Sequence, residues 1–471
     1  MRTLAPVSAP RTGNGYWIRL LPPLALLAWV TRVPSFARPL WNPDEGYLAV
    51  QARLLAAGGR LYETVVDRKP PLVPWLYEAA FALTGSGSLA AVRVLAVLAQ
   101  LATAALLAAL ARGRWGDRSG RTAGVLYLLL SIGLNPEDAQ AATFEIFILP
   151  GTAAALYCAD RRRWGAAGAA VGCAFLAKQT GAAVLLPVLW LCGARRGPLL
   201  RLAAGALLPV LAAALATDPS GFLFWTVTGS TAYASFSGSW THVVLRALGN
   251  AAILAVACAA LPPLLRHRTP GRADLWLWLA ASAAAVGTGL HFFGHYYLQL
   301  LPPLTLLATA ALSTLPPART SRALLTTACC CALFVTWGLL APRTWLDHSR
   351  RLADAVARTT APEDRVLVWG MHPETYWLAG RTPAGPHLTA GLLTNYSGGR
   401  AGARVGAQYA VPGAWAAFHR TTTAHPPALI VDDSRGAPYA PERVPALRRL
   451  LAARYAERET VDGAVLYVRV R

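Results

Sequence analysis

Charged residues are scarce in this chain of 471 residues: Asp, Glu, Lys and Arg together make up 14%. Soluble globular proteins carry about 25%. Because long apolar runs accompany this deficit, the composition excludes an ordinary soluble protein and indicates a membrane protein. The net charge of +21 comes from short arginine clusters between the apolar runs. That pattern is typical of cytoplasmic loops and gives no support to nucleic-acid binding.

Lysine is almost absent. Lys69 and Lys178 are the two lysines among 44 basic residues, and all the others are arginine. The abundance of Ala, Arg, Gly and Pro suggests a GC-rich coding bias that favours arginine wherever arginine serves. A retained lysine then indicates a place that needs a compact, strongly hydrated ammonium group, with chance survival as the alternative.

Cysteine patterns that would indicate a disulfide framework or a metal site are missing. All seven cysteines fall within apolar runs, and no CxxC pair occurs. We therefore interpret them as small apolar residues. The first apolar run, 17–33, lacks a small-residue cleavage site, so we expect it to remain as a membrane span.

The apolar runs predict about eleven transmembrane helices. They lie near 16–33, 88–111, 122–135, 145–159, 165–177, 181–194, 198–217, 243–265, 274–290, 296–314 and 322–341. The apolar segment 71–85 is expected to be an interfacial or re-entrant helix, because counting it as a span would place five arginine-rich loops outside. The N-terminus is then cytoplasmic, and the first extracytoplasmic loop covers 34–87.

The composition changes after residue 341. The region 342–471 is more polar and has no apolar run long enough to cross a membrane. Short strand-like segments at 365–370, 428–432 and 464–470 alternate with helical spacing. We therefore expect a transmembrane domain, 1–341, followed by a small extracytoplasmic α/β domain, 342–471.

The first loop contains a helix start with two acids. Asn42 is suited to the N-cap, Pro43 to the first helical position and Glu45 to a capping-box partner. Capping explains Glu45 as well as catalysis does, but it requires no particular side chain at Asp44. A carboxylate at that position can act as a general base towards an acceptor hydroxyl.

The two lysines follow in polar turns. Lys69 precedes Pro70-Pro71, and a cation next to a helix N-terminus forms a site for a phosphate, with lipid headgroup contact as the alternative. Lys178 separates two short spans, where a lysine is costly unless it pairs or reaches the interface. The predicted topology places both on the outer face, where the positive-inside rule does not account for them.

Two further polar groups open spans on the predicted outer face. Glu145 begins one of them, where the helix N-terminus also favours an acid. His295 and Tyr296 begin another, where the aromatic belt at the membrane interface is an alternative explanation for the tyrosine.

The order of these motifs resembles the GT-C glycosyltransferases, in particular the protein O-mannosyltransferases and the bacterial lipid A aminoarabinose transferases. Over roughly 15–341 the chain shows PDEGY, DRKPP, an acid before a span, a Lys-Gln-x-Gly turn and HYYLQLLPPL. The resemblance implies a GT-C fold and transfer of a sugar from a polyprenyl-phosphate-linked donor to an acceptor hydroxyl at the extracytoplasmic face of the plasma membrane. Direct displacement would invert the anomeric centre.

The resemblance also implies roles for individual residues. The acids Asp44, Glu45 and Glu145 are the catalytic candidates, and Asp44 matches the catalytic carboxylate of the first loop in the family. The donor phosphate would be held by Lys69, Lys178 and Arg68. The further substrate-binding candidates are Tyr47, Tyr62, Gln179, His295 and Tyr296. Arg68 stands where some relatives have an acid, and this difference leaves a metal site undecided. No cofactor is therefore certain, and a divalent metal ion is possible.

A transporter or flippase of a lipid-linked or small anionic substrate is the alternative function. It predicts ionisable groups near the bilayer midplane and two similar halves. In this sequence the acids collect near the predicted outer face, and no halves repeat. A non-catalytic protein presenting the region 342–471 would leave the patterned first loop unexplained. The partners expected are the donor, the lipid bilayer and an acceptor that is a protein, a lipid or a glycan.

Overall fold

The computed structural model describes residues 14–229, 239–267, 269–395 and 404–470. Residues 1–13, on which the predicted cytoplasmic N-terminus partly depends, lie outside these ranges. The helices of the first half are α1 (Asn14–Arg32), α2 (Pro43–Ala56), α3 (Leu72–Thr84), α4 (Ala90–Leu130), α5 (Pro136–Ala139), α6 (Phe144–Asp160), α7 (Trp164–Ala177), α8 (Leu185–Cys192), α9 (Arg196–Ala216) and α10 (Pro219–Leu223).

The helices of the second half are α11 (Trp240–Ala257), α12 (Pro262–Arg266), α13 (Ala273–Gly287), α14 (Leu301–Ser313), α15 (Pro317–Leu340), α16 (Thr344–Thr359), α17 (Glu374–Ala379), α18 (Gly391–Thr394), α19 (Ala414–Ala424) and α20 (Pro445–Arg454). The strands are β1 (Arg365–Trp369), β2 (Thr382–Pro383), β3 (Leu429–Asp432), β4 (Tyr455–Val461) and β5 (Ala464–Arg469).

Within the described ranges, five helical stretches are long and apolar enough to cross a membrane. They are Ala90–Leu130, Arg196–Ala216, Trp240–Ala257, Ala273–Leu290 and Pro317–Thr359. The chain therefore has the helical membrane fold that its composition indicates. The total of about eleven spans stays a prediction, because other candidate spans form shorter helices such as α7 and α8.

Helix α4 joins two of the predicted spans. The sequence predicts separate spans at 88–111 and 122–135, and the two parts of α4 meet at Gly116, with Gly120 packed against Ala108 so that the second part runs back along the first. Gly116 has φ 86°, a conformation that glycine adopts at little cost, and it breaks the helix at this point. Helix α3 has 13 residues, about 20 Å, which is shorter than the hydrocarbon core of a bilayer.

Small residues allow α7 and α9 to pack closely. A Cβ atom added to Gly172 would lie 2.6 Å from the carbonyl oxygen of Ala206, and one added to Gly168 would collide with the carbonyl oxygen of Leu202. Membrane helices associate through such close contacts, because lipid removes the hydrophobic drive that operates between helices in water.

The region after α15 contains a five-stranded sheet in the order β2-β1-β3-β5-β4. The pairs β2–β1 and β1–β3 are parallel, and the pairs β3–β5 and β5–β4 are antiparallel. Strands β1, β3 and β5 lie where the sequence predicts strands. The charged edge strand β4 was not predicted. The treatment of 342–471 as a separate domain stays a prediction.

This C-terminal region packs on α2. Gly46 lies so close to Glu374 that an added Cβ would be 2.7 Å from the Cα atom of Glu374. Arg53 donates a hydrogen bond of 3.2 Å to the carbonyl oxygen of Trp377, and its guanidinium group lies over the Trp377 ring. Helix α17 therefore packs directly against α2.

We expect the substitution Gly46→Ala to destabilise the protein by about 1–3 kcal/mol, because the new methyl group meets backbone that cannot easily retreat. The measurement is thermal unfolding in detergent. Gly87→Ala is the matched control, since nothing lies within 4 Å of its added Cβ. An unfolding temperature for Gly46→Ala at or above that of the control would contradict the proposed contact.

Candidate active site

Helix α2 begins as the sequence predicts. The Asn42 side chain accepts a hydrogen bond of 2.9 Å from the backbone N–H of Asp44, and Pro43 occupies the first helical position. This cap fixes the first turn of the helix. It leaves the side chain of Asp44 partly exposed, at 35%.

Glu45 lies in the same turn but is fully buried. One carboxylate oxygen accepts from the backbone N–H of Trp41 at 2.8 Å, and the other accepts from the N–H of Ala142 at 2.9 Å. Arg93, from α4, forms an ion pair with it at 3.0 Å. Both oxygens are engaged and shielded, and the catalytic role of Glu45 stays a prediction. A capping box would have Glu45 accept a hydrogen bond from the backbone N–H of the N-cap residue Asn42. In the structure, Glu45 accepts from the N–H of Trp41 instead.

Asp44 faces two cationic groups. The Lys69 ammonium lies 3.4 Å from Asp44 Oδ2, and His295 Nε2 lies 4.0 Å from the same oxygen. The Lys69 ammonium also lies 3.8 Å from the centre of the Phe144 ring. Burial raises the pKa of Asp44, but Lys69, His295 and Lys178 outweigh it, and the pKa lies below its usual value. Asp44 is therefore ionised at neutral pH.

Glu145 and Lys178 form a buried ion pair beside this group. Glu145 belongs to the first turn of α6, where the helix dipole favours an acid. Lys178 follows the last residue of α7, and its ammonium lies 3.7 Å from the centre of the Tyr296 ring. A buried lysine is tolerated when it is paired in this way.

Asp138 completes the set, although it is not among the site residues predicted from the sequence. Its Oδ1 accepts a hydrogen bond of 3.0 Å from the backbone N–H of His295 and lies 2.7 Å from Nδ1 of the same ring. This contact turns the other ring nitrogen towards Asp44. A signal was available: Asn135-Pro136-Glu137-Asp138 has the same Asn-Pro-acid-acid pattern as residues 42–45.

These residues form one charged cluster, which we define as Asp44, Lys69, Asp138, Glu145, Lys178 and His295. Burial lowers the pKa of His295, but Glu145, Asp138 and Asp44 outweigh it and raise the pKa above 6.5. With His295 protonated, the cluster holds three anionic and three cationic groups. The acids come from different loops and helices, yet their charges are compensated by the two lysines and the histidine.

The remaining candidates lie around the segment that carries Lys69. Tyr47 donates to the carbonyl oxygen of Val66 at 3.0 Å, and Tyr62 donates to that of Lys69 at 3.0 Å. Gln179 donates to the carbonyl oxygen of Arg68 at 2.7 Å. These polar groups hold the backbone of residues 66–69, and their contact with a substrate stays a prediction.

Arg68 itself is half-buried next to Asp67. Asp67 accepts from Gln51 at 3.1 Å, and burial raises the pKa of Asp67. The contact of Arg68 with the donor phosphate stays a prediction.

No group of three or more His, Cys, Asp or Glu side chains suited to a metal ion occurs in the described ranges. Asp44 and Glu145 each face an ammonium group, so the residues present do not fit a metal ion at this position. The divalent metal left open by the sequence therefore has no assigned ligands in this part of the chain.

Comparison with known proteins supports the resemblance. Residues 68–217 match the family model for dolichyl-phosphate-mannose-protein mannosyltransferase. This range contains Lys69, Glu145 and Lys178 and excludes Asp44 and His295. Among curated protein sequences, nothing matches the chain.

Two solved structures are similar along nearly the whole length. ArnT from Cupriavidus metallidurans bound to undecaprenyl phosphate has a TM-score of 0.66 and 18% identity, covering 97% of this chain and 99% of that one. The apo form of the same protein has a TM-score of 0.65 and 18% identity, covering 96% of this chain and 98% of that one. At this identity the likeness shows the fold. Together with the family match, it confirms the resemblance to GT-C glycosyltransferases.

We expect Asp138→Asn to lower the pKa of His295, because the substitution removes the carboxylate nearest to the ring. The wild-type ring should therefore stay protonated to a higher pH than the variant ring. Nitrogen-15 NMR of histidine-labelled protein measures this, with His295→Gln identifying the signal. An unchanged titration in Asp138→Asn would refute the electrostatic role of Asp138.

Proposed function

We propose that this chain is an integral-membrane glycosyltransferase that transfers a sugar from a polyprenyl-phosphate-linked donor to an acceptor hydroxyl. The observation that carries the proposal is the convergence of both lysines of the chain with Asp44, the most exposed acid of the charged cluster. The predicted topology places this cluster at the extracytoplasmic face of the plasma membrane.

The lysines provide the donor side of the site. Lys69 and Lys178 come from separate loops, and each is paired with a carboxylate. A donor phosphate can take over part of these ammonium contacts. The ammonium groups would then stabilise the negative charge that develops on the leaving phosphate, in surroundings that exclude most water. The ArnT structure with undecaprenyl phosphate supports a polyprenyl phosphate as the ligand class.

Asp44 provides the acceptor side. Its carboxylate stays ionised, because neighbouring cations lower its pKa, and it is exposed enough to receive a proton from an acceptor hydroxyl. The acceptor oxygen forms a bond to the anomeric carbon while the bond from that carbon to the phosphate oxygen breaks. The proton passes to Asp44, and the electron pair of the broken bond leaves with the polyprenyl phosphate. This single displacement inverts the anomeric centre.

Buried Glu145 serves the donor side in this scheme. Its carboxylate fixes the Lys178 ammonium, and one of its oxygens makes no hydrogen bond among the described residues. A sugar hydroxyl of the donor is a suitable partner for that oxygen, since a buried carboxylate oxygen without a donor is costly.

We expect Asp44→Asn to reduce sugar transfer by about 10²–10⁴-fold, because the amide cannot accept the proton. The assay uses purified protein in liposomes with a panel of polyprenyl-phosphate sugars and follows the release of polyprenyl phosphate. Glu63→Gln is the matched control, an acid of the same loop that is 46% exposed and pairs with Arg60. Turnover by Asp44→Asn close to wild type would remove Asp44 as the base, and a wild-type protein that binds no donor would favour the transporter alternative.

We expect Lys178→Gln to weaken polyprenyl phosphate binding by about 10–100-fold, the usual effect of losing a hydrogen bond to a charged group. Lys178→Arg should bind polyprenyl phosphate as weakly as Lys178→Gln, because the planar guanidinium does not fit between Glu145 and Tyr296. Isothermal titration measures both.

Removal of Lys178 alone leaves Glu145 buried without its counter-charge. The double variant Lys178→Gln/Glu145→Gln therefore accompanies the single one and keeps the site neutral. Binding by the double variant at wild-type strength would show that Lys178 does not hold the phosphate.

A further inference from the structure

A second polar site lies at the end of the bundle opposite the charged cluster. A cavity of about 470 Å³ opens between the part of α4 that follows Gly116 and the first turns of α15. Its walls include Arg118, Arg121, Thr122, Thr320, Ser321 and Leu324. The helix rises about 33 Å from Arg93, which contacts Glu45, to Trp115, and Arg118 lies just beyond the Gly116 break at that far end, so the cavity is separate from the charged cluster.

The positive charge in this cavity is not compensated. Neither Arg118 nor Arg121 forms an ion pair in the ranges that the structure describes, and the residues outside those ranges include no Asp or Glu. The nearby acids have other partners: arginines 112 and 114 pair with Asp117, Asp160 and Asp274. An anion is therefore the ligand that this cavity favours.

The hydrogen-bond donors suit a phosphate group. Arg118 donates to the Thr320 hydroxyl at 2.8 Å, which fixes its guanidinium at the cavity wall. Ser321 adds a second hydroxyl, and α15 starts at Pro317 with its positive dipole end at the same place. Arginine binds phosphate through two parallel N–H donors, an arrangement that a lysine cannot provide.

The surroundings indicate that the phosphate belongs to a lipid. Leu324 forms part of the cavity wall, and α15 continues with exposed apolar side chains at Leu325 and Leu333, which are 66% and 65% exposed. An acyl chain can lie along this row while its headgroup occupies the cavity. We propose that the cavity binds the phosphate of an anionic phospholipid headgroup, in the cytoplasmic leaflet of the predicted topology.

The test compares two charge-matched double variants in nanodiscs of phosphatidylcholine with a minor fraction of phosphatidylglycerol. Arg118→Gln/Arg121→Gln removes the cavity arginines. Arg319→Gln/Arg322→Gln removes two exposed arginines of α15 that do not line the cavity. Native mass spectrometry counts the phosphatidylglycerol molecules retained, and unfolding temperatures in phosphatidylcholine alone verify that both variants are folded.

We expect the cavity variant to bind phosphatidylglycerol at least about tenfold more weakly, and the control to change by less than about twofold. If both variants lose the same amount of phosphatidylglycerol binding, the loss is due to general surface charge, and the proposal is overturned. Displacement of the lipid by millimolar inorganic phosphate would assign the site to free phosphate and overturn the lipid assignment. If the cavity variant fails to fold, Arg121→Gln alone, which keeps the Arg118–Thr320 bond, is measured against Arg322→Gln.

Discussion

The buried ion pair between Glu45 and Arg93 is the constraint on which the candidate active site depends. It joins the first turn of α2 to α4, and the same carboxylate binds the backbone of Trp41 and Ala142. A buried pair of this kind adds little net stability but is costly to break. Its value here is positional. With Glu45 fixed, the neighbouring residue Asp44 is presented to Lys69 and His295 on a helix that cannot rotate.

The sequence predicted those features that depend on local chemistry. The helix start at Asn42 and Pro43 follows from capping rules, and the convergence of Lys69 and Lys178 follows from their rarity and their shared face. It did not predict that Glu45 is buried in an ion pair while Asp44 stays partly exposed. That distinction depends on Arg93, which lies 48 residues away from Glu45 in the sequence.

The contact between Asp138 and His295 was missed for the same reason. Its partners are separated by 157 residues, and no periodicity connects them. Strand β4 was missed because an exposed edge strand carries charged residues and lacks the apolar pattern of β1 and β3. In general, a residue could be predicted when its partner lies close to it in the sequence. A residue whose partner is distant in the sequence could be identified only from the folded structure.

Helix α4 has a consequence for the membrane in which the protein resides. Arg93 holds the active-site end of the helix, and Trp115 precedes the glycine break at the other end, about 33 Å away by helical rise. This span is close to the hydrocarbon thickness of a typical bilayer, about 30 Å. The depth of the charged cluster is therefore tied to the opposite leaflet by a rigid rod. A markedly thinner or thicker bilayer would have to deform, or tilt the helix, before the cluster could change its depth.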